Sequence, residues 1–360
     1  MLYLGIMRTV AFFDTTAEDQ TYIKEHCGAD ITPVFFAEHF SPSLLKGYPE
    51  TQAISVFIGS HIKAEDMAQV PQVKLVTTRS TGFDHLDIDA LASAGIKLGY
   101  VPGYGDNTVA EFAFGLLLAV NRKICKANQQ IRMEGKFSTV GYEGFDLLGR
   151  TMGIVGTGRI GRHAIRIAKG FGMNVVAYDP MPNAQAAQEL GFTYVSLEEL
   201  LKTSDAVSLH VPYMPQTHHL INAASFALMR KNAVLVNTSR GAVVDTQAML
   251  QALRAGTIAG AGLDVLEGEE HITDEYSFIL GEQSEEGYKT VAENLMLVDM
   301  PNVVVTPHIA FYTQEALHRI LDTDLANIAA FFATGSLVSD VMASRRISGS
   351  SSSGAPAPTK

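Results

Sequence analysis

The 360-residue chain is 47% hydrophobic and 18% charged, a balance that suits a soluble globular protein long enough for two domains. Its formal net charge of −11 argues against a nucleic-acid or anionic-membrane partner, since both want a basic face, although one local arginine can still hold a small anion. Only two cysteines occur, Cys27 and Cys125, without metal-ligand spacing, so no disulfide framework is expected, no metal site is read, and a reducing cytoplasm is expected.

The opening stretch, MLYLGIMRTVAFFD, reaches Asp14 too soon to span a bilayer and lacks a signal-peptide cleavage pattern. It reads as a first strand, Thr9 to Phe13. The runs ITPVFF, AISVFIG and VKLVTTR follow, alternating with helical stretches, which is the pattern of an α/β protein with parallel sheets. From Asn107 to Gly135 the pattern predicts one helix of about 28 residues, roughly 40 Å long. Asn107 or Thr108 would cap it, Glu111 supplies a first-turn acid and Gly135 ends it. Its middle, FAFGLLLAV, is apolar nearly all round and needs more than one neighbour to cover it. Alternation then restarts with TMGIVGTGRIG, MNVVAYDP, TYVSLEELLKTSDAVSLHVP, AVLVNTSRG and IAGAGLDV. A last strand, NVVVTPH, precedes a helical run from Thr313 to Thr334, and residues 344–360 have the composition of a flexible tail.

Gly156, Gly158 and Gly161 stand in G-x-G-x-x-G spacing, with a strand from Met152 to Val155 leading in and a helix from Arg159 to Phe171 leading out. That context suits a dinucleotide: the first glycine turns, the second admits the pyrophosphate, the third packs helix on strand, and the helix N-terminus faces the phosphates. The next strand ends at Asp179, 18 residues after Gly161, near the spacing of a ribose-binding acid. A carboxylate there repels a 2′-phosphate, and no arginine follows in DPMPNAQAAQ, so NAD is expected over NADP.

Three further polar residues end apolar runs. Arg240 follows AVLVNTS, an acidic cluster containing Glu269 follows AGAGLDV, and His308 follows NVVVTP. In open parallel sheets ligands gather at the carboxyl ends of strands. Hydride transfer to a 2-keto acid needs a cation for the carboxylate and carbonyl oxygen, and a proton donor. An arginine fork serves the first need and a histidine beside a carboxylate serves the second.

Several stretches together, STGFDHLDIDAL, NTVAEFAFGLLLAVNR, GIVGTGRIGRHAIRIAKGFGMNVVAYDP, LHVPYMPQTHHLIN, AVLVNTSRGAVVDTQAMLQAL, GAGLDVLEGEE and PNVVVTPHIAFYT, resemble the D-isomer-specific 2-hydroxyacid dehydrogenases from about Ile54 to Phe332. The resemblance implies catalysis by Arg240, Glu269 and His308. It implies NAD contacts at Gly156, Gly158, Arg159, Ile160, Gly161, Asp179, Val211, Pro212, Thr238 and Asp264. It also implies two Rossmann-like doubly wound domains, with an NAD domain at 103–305 inserted into a smaller substrate domain formed by 1–102 and 306–343. The active site would lie in the cleft, the long helix near the hinge and a homodimer contact.

The sequence HIAFYT is similar to the D-lactate dehydrogenase branch, in which Phe311 and Tyr104 would line the site for a short substrate. Thr81 and Gly82 resemble the family's carboxylate-binding turn. Pyruvate is therefore the expected substrate, with glyoxylate, hydroxypyruvate or bulkier 2-keto acids, or an NAD-sensing interaction protein, as rival readings. Two departures stand out: His85 replaces the usual asparagine and is read as structural, and the acidic stretch 271–299 is long enough to reshape access to the site.

Overall fold

The structure, a computed structural model, describes residues 7–269 and 285–344, without the side chains of 285–287. The tail beyond 344 and residues 271–284 of the acidic stretch lie outside the described residues. The chain forms two compact units, one running to Tyr104 and resuming at Thr313, the other spanning Gly105 to Tyr312.

The first unit holds a parallel sheet of β1 (Arg8–Phe12), β2 (Ile31–Phe35), β3 (Thr51–Val56), β4 (Leu75–Thr78) and β5 (Lys97–Gly99), in the order β2-β1-β3-β4-β5. Continuous apolar runs make these strands because both faces are covered: Val10, Ala11, Phe12, Ala53, Ile54, Leu75 and Val76 are fully buried. One cover is the helix Gln314–Thr334. Thr313 starts it by accepting from Ala316 N, Ile320, Leu321, Leu325 and Ile328 repeat on its inner face, and Gly335 ends it at φ +72. Three of those side chains, Leu321, Leu325 and Ile328, pack on Val10, Phe12, Ala53 and Leu75. Each such burial is worth about 1.5–3 kcal/mol.

The second unit holds β6 (Thr151–Val155), β7 (Asn174–Tyr178), β8 (Thr193–Tyr194), β9 (Ala206–Leu209), β10 (Val234–Asn237), β11 (Gly260–Leu263) and β12 (Val303–Val305). The sheet is parallel throughout, in the order β12-β11-β10-β9-β6-β7-β8. Strand β6 lies between β7 and β9, which makes its carboxyl end the topological switch point where such sheets bind ligands. The two α/β parallel sheets match the doubly wound class expected, although β5 and β8 are too short to stand out in the sequence.

The single long helix is not observed. Two helices, Asp106–Asn121 and Ile124–Glu134, meet at Lys123, which adopts φ +53. A segment distant in sequence explains the break. Asn121 donates from Nδ2 to Phe145 O at 2.7 Å and accepts from Phe145 N at 3.0 Å, while Lys123 Nζ donates to Gly141 O and Glu143 O. Gly105 is the N-cap in place of Asn107 or Thr108, whereas Gly135 ends the second helix as expected. The apolar middle is covered by the helix Arg159–Gly170 and by the strands β10, β11 and β12.

The return to the first unit also comes later than residue 306, at Thr313. The cause is Asp264, whose carboxylate accepts from Thr306 Oγ1 at 2.6 Å, Ile309 N at 3.0 Å and Ala310 N at 2.8 Å, and so keeps this turn in the second unit. Among the described residues no helix is long and apolar enough to cross a membrane.

Candidate active site

The sheet order sets the chemistry. Strands β10, β11 and β12 are neighbours in parallel register, Asn237 opposite Leu263 and Leu263 opposite Val305. Arg240, Glu269 and His308 therefore follow three adjacent strand ends on one edge of the second unit. Glu269 and His308 meet directly: His308 Nδ1 bonds Glu269 Oε1 at 2.5 Å, and the other carboxylate oxygen accepts from Leu266 N at 2.9 Å. With Nδ1 turned to the carboxylate, Nε2 is the nitrogen left to face a substrate.

Two constraints aim the histidine. Its backbone is left-handed, φ +54, and its N–H donates to Asp264 O at 2.8 Å. Asp264 clamps the flanking residues as described above. Burial pushes its carboxyl above the ordinary value, against the opposing pull of its three donors and of nearby His308. Both Asp264 oxygens are thus engaged by protein donors, which makes it a clamp on the histidine turn.

Arg240 caps a short 3-10 turn, Gly241–Val243, and its guanidinium donates to Ser239 O at 2.8 Å. Asn237 shapes the approach, accepting from Ser239 N and Oγ and donating to Arg240 O at 2.9 Å. Gly241 must be glycine because a Cβ there would lie 2.0 Å from Leu266 C and 2.3 Å from Glu267 N. The arginine turn and the turn leading to Glu269 are consequently pressed backbone to backbone.

The glycine loop after β6 meets the same standard. Gly156 has φ +94, and a Cβ on it would lie 2.4 Å from His210 O; one on Gly161 would lie 2.0 Å from Gly156 O. Gly158 opens the helix Arg159–Gly170 without a side-chain cap, and a Cβ on it would meet nothing within 4 Å. Uncapped N–H groups with room above them form a cradle for phosphate. Asp179 follows β7; its Oδ2 accepts from Thr157 N at 2.7 Å and Thr157 Oγ1 at 2.9 Å, and its Oδ1 from Met181 N. Thr157, a residue sequence reasoning passed over, ties the acid to the loop, and Tyr194 OH in turn lies 2.7 Å from Thr157 Oγ1.

The remaining expected contacts vary in character. Thr238 is buried, and its hydroxyl has no hydrogen-bond partner among the described residues, an orphan that a cofactor would satisfy. Val211 sits against the loop, its Cγ1 2.9 Å from a Cβ placed on Gly156, and Pro212 O accepts from Thr217 Oγ1. Arg159 Nε pairs with Asp106 Oδ2 at 3.1 Å, while Ile160 packs into the apolar core. The glycine cradle, the uncapped helix and the orphan hydroxyl together fit a dinucleotide.

Thr81, Gly82 and Tyr104 belong to the first unit, and Phe311 to the second. Buried His85 bonds from Nε2 to Thr78 Oγ1 at 2.9 Å, Thr78 bonds Ser80 at 2.7 Å, and Ser80 Oγ donates to Gly82 O at 2.6 Å. His85 thus supports the turn at Thr81 and Gly82, whose Thr81 hydroxyl donates to Val101 O. Tyr104 is half-buried and its carbonyl accepts from Arg319 Nε at 2.7 Å; Phe311 is half-buried with its ring edge-on to Tyr312.

A glycine loop at the switch point, with an acid–histidine pair and an arginine following strand ends of the same sheet, suits an NAD-dependent oxidoreductase. Residues 114–310 match the model of the D-isomer specific 2-hydroxyacid dehydrogenase NAD binding domain. The D-lactate dehydrogenase of Escherichia coli is 37% identical over 326 residues, covering 89% of this chain and 95% of that protein. The glyoxylate reductase of Thermococcus litoralis is 38% identical over 80% of this chain and 82% of its own. Among solved structures, the D-lactate dehydrogenase from Aquifex aeolicus complexed with NAD and lactic acid superposes with a TM-score of 0.79 at 33% identity, covering 91% of this chain and 98% of that one. The chain belongs to the D-isomer-specific 2-hydroxyacid dehydrogenases, and its cofactor is NAD.

Proposed function

We propose that the protein reduces a short 2-keto acid, pyruvate foremost, to the D-2-hydroxy acid, with Arg240, Glu269 and His308 as its catalytic residues. The observation that carries this reading is the 2.5 Å bond between His308 Nδ1 and Glu269 Oε1 beside the arginine strand end. Arg240 would hold the substrate carboxylate and polarise the keto oxygen through its planar fork of donors. Bound NADH supplies the hydride. His308 Nε2 then delivers the proton to the carbonyl oxygen as it gains charge, while Glu269 balances the ring's positive charge and fixes its orientation. The reverse oxidation uses the same atoms, with Nε2 accepting the hydroxyl proton.

Gly156, Gly158, Arg159, Ile160, Gly161, Asp179, Val211, Pro212, Thr238 and Asp264 are proposed to hold NAD, with Asp264 also positioning His308. Thr81, Gly82, Tyr104 and Phe311 are proposed as substrate contacts, the two aromatic residues limiting substrate size. A panel of pyruvate, glyoxylate, hydroxypyruvate and branched 2-keto acids, followed by loss of NADH absorbance, tests the reading. Pyruvate should give the highest kcat/KM. A higher value for glyoxylate would move the protein to the glyoxylate reductase reading, and no turnover of any member would favour the NAD-sensing one.

A homodimer accompanies this reading. The helix Ile124–Glu134 has no buried residue, and Ile124, Ile131, Met133, Phe137 and Val140 are exposed on it and just after it, apolar surface that a second copy would cover. Sedimentation at several concentrations should show a dimer; a stable monomer would overturn the assignment. Two free thiols, Cys27 and Cys125, suit the cytoplasm.

A further inference from the structure

Beside the catalytic turn lies a group of side chains that the reaction does not use. His219 Nε2 bonds Glu267 Oε1 at 2.7 Å, and His218 stacks on His219 with ring centroids 3.9 Å apart and planes 21° from parallel. One ligand atom from each of His218, His219 and Glu267 lies within 4.8 Å of the other two. We propose that these three residues form a binding site for one divalent transition-metal ion of the zinc, cobalt or nickel class, and that its occupancy slows turnover.

The surroundings preorganise two of the ligands. Thr246 Oγ1 donates to Glu267 Oε2 at 2.9 Å, leaving Oε1 to face the imidazoles, and Asn294 Nδ2 donates to Glu267 O at 2.8 Å. His219 is held in a left-handed backbone, φ +49, by its N–H donating to Ala242 O and by Asn222 donating to its carbonyl at 3.1 Å. Fixing a carboxylate through its second oxygen and a histidine through its backbone is how outer contacts orient metal ligands.

Geometry and chemistry then select the ion. Bonds of about 2.0–2.2 Å place tetrahedral ligand atoms roughly 3.3–3.6 Å apart. The His219–Glu267 pair must therefore open slightly from 2.7 Å as an ion replaces the shared proton. His218 must close in, which its exposed side chain permits. Two imidazoles and one carboxylate suit borderline cations; magnesium and calcium want oxygen ligands throughout. Three protein ligands leave a position for water.

Coupling to catalysis follows from the chain path. Glu267 and Glu269 share one turn, whose 266–267 backbone rests on Gly241, next to Arg240. An ion that forces Glu267 and His219 apart from 2.7 Å pushes on the turn that carries Glu269. This coupling rests on the catalytic role proposed for Glu269; the binding site does not.

Chelator-stripped, tag-free protein carrying Cys27→Ser and Cys125→Ser is titrated with cobalt(II), and the visible d–d bands of a four- or five-coordinate site are recorded alongside pyruvate turnover. One equivalent should bind with such bands. His218→Ala and Glu267→Gln should each weaken binding at least tenfold, with basal turnover unchanged in His218→Ala. Cobalt or zinc should slow the unsubstituted protein and spare His218→Ala. Absence of binding up to about 1 mM ion, or equal binding in His218→Ala, would overturn the site. Binding without slowed turnover, in protein that turns over pyruvate, would overturn the coupling alone, and protein with no turnover at all would instead count against the catalytic reading.

Discussion

Acid should loosen the cofactor unit through one residue, His210. Its half-buried ring stands just past the carboxyl end of β9, where Nε2 meets Ser208 Oγ at 2.9 Å and its carbonyl would touch any Cβ on Gly156. Burial lowers its pKa from the ordinary 6.5 to about 4. The sign is fixed by which state binds more protons: between these values the unfolded chain takes up a proton that the native ring refuses. Stability is therefore full above about pH 6.5 and falls as pH drops toward 4. At 1.36 kcal/mol per pH unit the whole window is worth about 3 kcal/mol, of which about 2 kcal/mol is lost by pH 5. Urea denaturation of the protein and of His210→Gln, at pH 8 and pH 5, isolates the term. The variant starts less stable because the Ser208 contact goes, but its stability should change less between the two pH values, by about 2 kcal/mol. Equal slopes in the two proteins would refute the burial argument, since no other titrating group differs between them.

The catalytic reading predicts that His308→Gln lowers kcat about a hundredfold or more while NADH affinity, measured by fluorescence titration, stays within twofold or so. Near-normal turnover would remove the histidine from the mechanism. Gly241→Ala inserts a methyl group 2.0 Å from Leu266 C, so the arginine and glutamate turns must separate by about 1 Å or more; kcat/KM should fall on the order of a hundredfold, and unchanged steady-state kinetics would count against the close approach. Asp179 predicts a strong preference for NADH over NADPH, and equal kcat/KM with the two would contradict its placement at the ribose.

Much of the layout could be read from residue order. Buried parallel strands are continuous apolar runs, so β1, β6, β9, β10 and β12 are visible as such, and the glycine spacing locates the switch point before any strand order is known. What failed to show had causes elsewhere in the chain. Nothing near Lys123 signals a break, because the groups that stabilise it come from residues 141–145. The strands β5 and β8 are too short to carry a period, and exist because their neighbours supply the hydrogen bonds. The pairing of His308 with Glu269 was accessible only through resemblance, since 39 positions separate them. His219 and Glu267 are 48 apart and were missed. The doubled histidine was the one local sign available, and it says nothing about the carboxylate that completes the group.

The left-handed backbone at His308 has a cost that outlasts any single turnover. An imidazole-bearing residue in that conformation gives up about 1–2 kcal/mol relative to glycine. On the catalytic reading, His308→Gly would relieve that strain and remove the proton donor in one step. The torsion that aims the ring is thus also a load on the fold around it.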